Sequence, residues 1–184
     1  MFIQTEETPN PATMKFLPGR EVMPQGTLEI TDARGAVASP LAQALFGIDG
    51  VCGVFLAREF ITVTKTADKN WAVLKPAILT SIMEHFTNNR PVVTANIETP
   101  SEASTDDNNE ITKQIREILD TKVRPAVAQD GGDITFQSFE DGILYLHLKG
   151  SCAGCPSATL TLKAGIESMM KHYVPEVKEV RQVR

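Results

Sequence analysis

The chain has 184 residues, a net charge of −5 and 42% hydrophobic residues, which allows one full domain or two small ones. The acidic balance argues against nucleic-acid binding, because such a protein needs a basic face to displace counterions from phosphates. The ordinary apolar content excludes a wholly disordered chain, and no run approaches the ~18 consecutive apolar residues of a membrane span.

The amino-terminal segment shows no sign of export. It carries Glu6 and Glu7 early and has no apolar region after a basic start, and it lacks the Arg-rich composition of an organelle transit peptide. Three cysteines in so long a chain do not make a disulfide framework. We therefore expect a reducing compartment: a bacterial cytoplasm, or the mitochondrial matrix if a transit peptide has been removed.

The first half shows the patterns of a mixed α/β domain. A short helix is predicted from the Ser39-Pro40 cap to Gly47, and a longer one has Leu74, Ile78, Ile82, Met83 and Phe86 on its buried face. Short apolar runs predict four strands, the last two forming a hairpin: Phe2-Ile3, Met14–Leu17, Val51–Ala57 and Phe60–Lys65.

A polar, acidic stretch then separates the two halves. Residues 99–109 contain no aliphatic side chain larger than that of Ala103, so they cannot bury enough apolar surface to offset their ordering entropy. The sequence thus predicts an amino-terminal domain over 1–98, a flexible acidic linker over 99–109 and a carboxy-terminal domain over 110–184.

The second half predicts the order helix, strand, strand, helix, strand. Asp107 and Glu110 suggest a capping box at the start of the first helix, and Arg124-Pro125 should kink or end that helix. The predicted strands are Ile134–Phe139, Ile143–Lys149 and Val177–Val183, and the last helix starts at Pro156. The expected fold class is α/β (α+β): two small domains, each a short mixed sheet with helices packed on one face.

Cys152-Ala-Gly-Cys155 is the one motif with obvious reactivity. It lies between a strand and a helix, where free N–H groups and the helix dipole should lower the pKa of a thiol. Two cysteines at this spacing can bind one metal centre, but the motif alone leaves structural zinc, dithiol redox chemistry and iron–sulfur ligation open. Zinc and cubane clusters both usually take about four protein ligands, and a second copy of the chain could supply the missing pair.

Other candidate ligands are weaker. Cys52 lies in an apolar run of the other half and is expected to be a small buried hydrophobe. His85 is expected on the outer face of a helix, His147 opposite the leucines of a strand, and His172 near a helix carboxyl end. We expect structural or solvated roles for all three histidines.

Longer segments resemble a known family. The carboxy-terminal half resembles the C-terminal domain of NifU and the Nfu proteins at Arg124–Ile134, Gly150–Ser157, Thr161–Glu167 and Val174–Val177. The amino-terminal half resembles the Nfu N-domain at Thr8–Pro11, Lys15–Gly19, Ser39–Ala42, Phe60–Lys65, Trp71 and Leu74–Pro76.

The resemblance implies an iron–sulfur cluster scaffold or carrier and not an enzyme. In this family two chains share one [4Fe–4S] cluster through paired CxxC motifs, which assigns iron ligation to Cys152 and Cys155. The implied partners are a second copy of the chain, an upstream scaffold as cluster donor and apo iron–sulfur proteins as acceptors, with neither nucleic acid nor membrane. The Asp130–Asp133 segment belongs to the family signature; it is either a tight turn that needs glycine or a border of the cluster site.

Overall fold

The computed structural model describes residues 2–94, 109–153 and 156–183, and the chain divides into two compact units, Met1–Thr99 and Pro100–Arg184. Each unit has its own sheet and its own hydrophobic core. The predicted α+β class is therefore confirmed. The predicted linker lies outside the described residues except for Asn109, whose side chain caps the helix that follows.

The first unit is a five-stranded sheet with two helices. Its strands are β1 Gln4–Glu7, β2 Thr13–Leu17, β3 Leu28–Ile30, β4 Val51–Leu56 and β5 Ile61–Lys65, in the order β1-β2-β5-β4-β3. Its helices are α1 Pro40–Phe46 and α2 Trp71–Thr87, preceded by a 3₁₀ turn at Gly35–Ala38.

All pairings in this first sheet are antiparallel, so the expectation of a mixed sheet holds only for the second unit. The predicted hairpin is confirmed, and the N–H of Ala57 donates to the carbonyl of Phe60 at 3.0 Å to close it. Two details were wrong: β1 begins after the predicted Phe2-Ile3 segment, and β3 was not foreseen.

The helix face predicted for α2 packs on the sheet. Leu74, Ile78, Ile82 and Phe86 are all buried in the first core. Met83 was also placed on this face, but its side chain is exposed, because it lies at the edge of the apolar stripe.

His85 was predicted on the outer face of α2 and is instead buried, with 3% of its surface exposed. Its Nε2 atom has no hydrogen-bond partner in the described part of the chain. Burial lowers the pKa of His85, and the nearby Arg90 charge lowers it further. The folded unit therefore holds a neutral imidazole in its interior.

The second unit is a three-stranded sheet with helices on one face. Its helices are α3 Glu110–Ile118, α4 Arg124–Gln129 and α5 Pro156–Tyr173, and a π-helical turn at Leu119–Val123 joins α3 to α4. Its strands are β6 Gly132–Glu140, β7 Ile143–Gly150 and β8 Glu179–Val183, in the order β6-β7-β8.

This second sheet is mixed, as predicted. β6 pairs antiparallel with β7, and β8 pairs parallel with β7. Asp141 and Gly142 both have positive φ angles, 52° and 83°, which is the backbone that a two-residue hairpin turn requires. Leu144, Leu146 and Leu148 all face the buried core.

Arg124-Pro125 was predicted to kink or end the first helix. The structure has the π-helical turn just before these residues. Proline has no N–H to continue the α-helical ladder. The N–H of Arg124 bonds to the carbonyl of Leu119, five residues back, and the chain then continues as α4. The start of α3 also differs from the prediction: Asn109, not Asp107, is its cap.

In the described residues no helix combines the length and the hydrophobicity that crossing a bilayer demands.

The buried His85 predicts an acid-sensitive first unit. Its folded-state pKa lies below the unfolded value of about 6.5, so unfolding takes up protons and the free energy of unfolding falls as pH drops below about 6.5. Urea unfolding followed by the fluorescence of Trp71, the single tryptophan, reports on this unit. We expect wild-type stability to fall between pH 7 and pH 5, and His85→Leu to reduce that fall.

The matched control is His172→Gln, because His172 is exposed in the second unit. This control should keep the wild-type pH dependence of the Trp71 transition. Identical pH dependence in wild type and His85→Leu would contradict the assignment.

Candidate functional site

Cys152 lies in the loop between β7 and α5, and its side chain is packed inward. It is 5% exposed and belongs to the second core. The N–H of Ala153 donates to the carbonyl of Gly150 at 3.0 Å, and the Thr159 hydroxyl donates to the carbonyl of Cys152 at 3.1 Å. The loop is thus tied to the end of β7 on one side and to the first turns of α5 on the other.

The Asp130–Asp133 segment packs against this loop. The N–H of Ser151 donates to the carbonyl of Gly131 at 3.2 Å, and the Ser151 hydroxyl donates to the carbonyl of Asp130. A Cβ atom on Gly132 would lie 2.5 Å from Cys152 Sγ and 2.8 Å from the carbonyl oxygen of Lys149. The segment is both a tight turn, with Gly131 at φ +79°, and a direct neighbour of the Cys152 thiol.

An ion pair fixes the far side of this segment. Arg124 Nε lies 3.1 Å from Asp133 Oδ1, and its Nη2 lies 3.3 Å from Oδ2. The Asp133 side chain is buried, whereas Asp120, which bonds Arg124 Nη1 at 2.9 Å, is exposed. Burial lowers the pKa of Arg124, but the bonds to both carboxylates outweigh it and raise the pKa overall. The ion pair joins α4 to the first residues of β6.

The Cys152 thiol is a weaker acid than predicted. Its pKa is raised to about 11, mainly by burial. The Ser151 hydroxyl opposes this rise, and the charges of Asp130 and Asp133 add to it. The expected lowering at the helix amino terminus is therefore wrong, because desolvation of the sulfur dominates. Any metal that binds here must displace a proton.

Cys155 lies outside the described residues, as does Gly154, although α5 does begin at Pro156 as predicted. The assignment of Cys155 as an iron ligand therefore stays a prediction. The described residues contain no cluster of three or more His, Cys, Asp and Glu side chains that could hold a metal ion.

Cys52 is exposed and not a buried hydrophobe, which corrects the prediction. The register of β4 against β5 shifts between Val51 and Gly53, so Cys52 is the unpaired residue of a bulge. Its thiol points to the carbonyl of Thr64 at 3.5 Å, and partial burial raises its pKa.

The other two histidines lie where they were predicted. His147 is half-buried on the sheet face opposite the leucines of β7, and His172 is exposed near the end of α5 with its ring 5.0 Å from that of Tyr173.

Sequence patterns predict neither the hydrogen bonds of Ser151 nor the Arg124–Asp133 ion pair. Their partners are 9 to 21 residues away in the chain, so only the fold brings them together. A sequence signal for the ion pair is Asp133 itself, because a charged residue near the start of an apolar strand indicates a buried partner.

Family profiles cover most of the chain. Residues 3–89 match the family described as "Scaffold protein Nfu/NifU N terminal", and residues 115–181 match the "NifU-like domain".

Curated relatives match over the full chain. The human "NFU1 iron-sulfur cluster scaffold homolog, mitochondrial" is 48% identical over 100% of this chain and 72% of its own length. The Arabidopsis thaliana "NifU-like protein 4, mitochondrial" is 44% identical over 99% of this chain, which spans 66% of that relative. A solution structure of a NifU-like protein from Saccharomyces cerevisiae aligns with a TM-score of 0.47 and 26% identity over 51% of this chain and 85% of that one.

Because Gly132 lies so close to Cys152, a side chain at position 132 should destabilise the second unit. Gly132→Ala should lower the free energy of unfolding of the second unit by about 1–3 kcal/mol, since its Cβ would meet both the sulfur and a backbone oxygen. Urea unfolding followed by far-UV circular dichroism measures this.

Gly165→Ala is the matched control. Gly165 is an exposed residue of α5 with open space around a built Cβ, so alanine there should stabilise the helix by about 1 kcal/mol. Equal effects of the two substitutions would contradict the packing argument.

Proposed function

The chain belongs to the Nfu/NifU family of iron–sulfur cluster scaffolds, and from that premise we propose that two copies hold one [4Fe–4S] cluster between their CxxC motifs and deliver it to apo-proteins. The cluster is cargo in this proposal. The chain is a carrier and performs no catalytic turnover on it.

The number of cysteines in the chain is the observation that supports the proposal most strongly. A cubane cluster usually takes four cysteine ligands, and the whole chain contains three cysteines. One of them, Cys52, lies on β4 of the first unit. Cys152 and Cys155 of two chains would together complete a four-thiolate site.

Shared ligation also suits delivery. Each chain contributes two ligands, so the affinity of a single chain for the cluster is low and the pair gains by holding it jointly. An acceptor thiol can then replace the ligands one at a time. A fully enclosed cluster with four ligands from one rigid domain would not be released as readily.

The two units suggest a division of labour. We propose that the first unit recognises donor or acceptor proteins and that the acidic linker, residues 99–109, tethers it to the cluster-binding unit. Tethering raises the effective concentration of the cluster near a docked acceptor.

We propose a reducing compartment that assembles iron–sulfur proteins as the place of action. The mitochondrial alternative raised from the sequence is supported by the relatives, which carry that word in their names. The bacterial cytoplasm stays a prediction without support from the relatives.

Thiol–disulfide exchange is the less favoured alternative. A reactive dithiol of this kind needs an accessible cysteine with a lowered pKa. Cys152 is buried and its pKa is raised, which is the opposite environment. The other alternative is a zinc-bridged dimer. Metal analysis would distinguish it from a cluster carrier, and a zinc protein would also be colourless.

Cysteine variants test the ligand assignment. After anaerobic reconstitution we expect wild-type protein to be brown, with about four irons and four sulfides per pair of chains. Cys152→Ser and Cys155→Ser should each lose the visible absorption and the cluster-dependent dimer. Visible spectra, iron and sulfide assays and size-exclusion chromatography are the measurements.

Cys52→Ser is the matched control and should keep both properties, because Cys52 lies on the first unit. Loss of the cluster in Cys52→Ser to the same degree would contradict the assignment, as would zinc in place of iron.

A further inference from the structure

The buried position of Cys152 poses a mechanical problem for a cluster carrier. A ligand to a cluster that two chains share must reach the boundary between them. In the described structure the Cys152 side chain instead forms part of the second core. The sulfur that should bind iron is therefore packed away from the surface.

The segment before β6 and the neighbouring Ser151 surround this sulfur. We call Asp130, Gly131, Gly132 and Ser151 the thiol cradle. Ser151, itself buried, bonds through its N–H and its hydroxyl to the carbonyls of Gly131 and Asp130. The missing side chain of Gly132 leaves the space that Cys152 Sγ occupies, because a Cβ there would come within 2.5 Å of the sulfur.

The Arg124–Asp133 ion pair holds β6 in place directly after the thiol cradle. Asp133 follows Gly132 on β6, and its side chain is 8% exposed. Both of its oxygens accept from Arg124, the first residue of α4. Since α4 leads directly into Asp130, the pair closes the loop that contains the cradle's two glycines.

We propose that Arg124 and Asp133 are positioning residues that hold the thiol cradle around Cys152, so that the cradle competes with iron for this sulfur. This inference rests on the proposed cluster-carrying function. Cys152 leaves the cradle when the cluster is loaded and returns to it when the cluster departs.

The exchange step balances without any oxidant or reductant. An acceptor thiol loses its proton as its sulfur binds iron, the bond between iron and Cys152 Sγ breaks, and Cys152 Sγ takes up a proton. The sulfur then returns to its buried position against Gly132. Return of the sulfur to the core favours delivery over retention.

The test compares two aspartates that both bond Arg124. Asp133→Asn removes the buried partner that lies beside the cradle, and Asp120→Asn removes the exposed partner on the π turn. In metal-free full-length protein, iodoacetamide labelling of each cysteine is followed by peptide mass spectrometry. Cys52, exposed on the first unit, is the internal reference.

In the wild type we expect Cys152 to be labelled at least tenfold more slowly than Cys52. Asp133→Asn should speed labelling of Cys152 at least fivefold, whereas Asp120→Asn should change it less than twofold. Labelling of Cys52 should stay the same throughout. Equal labelling of Cys152 in the wild type and Asp133→Asn would overturn the proposal.

Cluster retention separates positioning from a merely structural role. If the cradle competes with iron, reconstituted Asp133→Asn should lose its visible absorption to an iron chelator at least threefold more slowly than the wild type. Faster loss of the visible absorption would show general destabilisation of the second unit and would overturn the proposal.

Two further results need their own tests: failure of Asp133→Asn to fold, and failure of the wild type to bind a cluster. Should Asp133→Asn fail to fold, Arg124→Lys keeps the charge but not the two-pronged geometry, and the same increase in Cys152 labelling is expected from it. A wild-type chain that takes up no cluster would overturn the proposed function, and the labelling comparison would still decide for or against the cradle.

Discussion

The close packing of the Cys152 sulfur against Gly132 is the contact on which the proposed chemistry of the second unit depends. It needs a residue without a side chain at 132, a serine at 151 that bonds two carbonyls, and an ion pair that fixes the strand behind them. In the proposed carrier these groups set where the Cys152 sulfur lies and how readily it becomes available to iron.

Cys152 also takes part in the packing of the second unit. The second core already includes Cys152 as an apolar member, together with residues from all three strands and from α5. Structural metal sites often supply the folding energy of a domain, and the domain unfolds when the metal leaves. In the second unit Cys152 packs within an apolar core, so we expect this unit to keep its fold when it delivers the proposed cluster.

Local patterns predicted much of the fold, and the errors have a common cause. The hairpin of β4 and β5, the leucine face of β7 and the helix starting at Pro156 all follow from short-range periodicity and turn residues. Cys52 is exposed because a bulge against β5 shifts the register, and the pKa of Cys152 is raised because a turn some 20 residues away covers it. Both depend on pairing between distant segments, which neighbouring residues do not encode.

The proposed carrier holds one cluster between two chains, and neither chain holds it alone. Native mass spectrometry of anaerobically reconstituted wild-type protein tests it most directly, because it weighs protein and cluster together. We expect a species with the mass of two chains and one [4Fe–4S] cluster, and cluster-free single chains after the cluster is removed. A single chain carrying a complete cluster would contradict it.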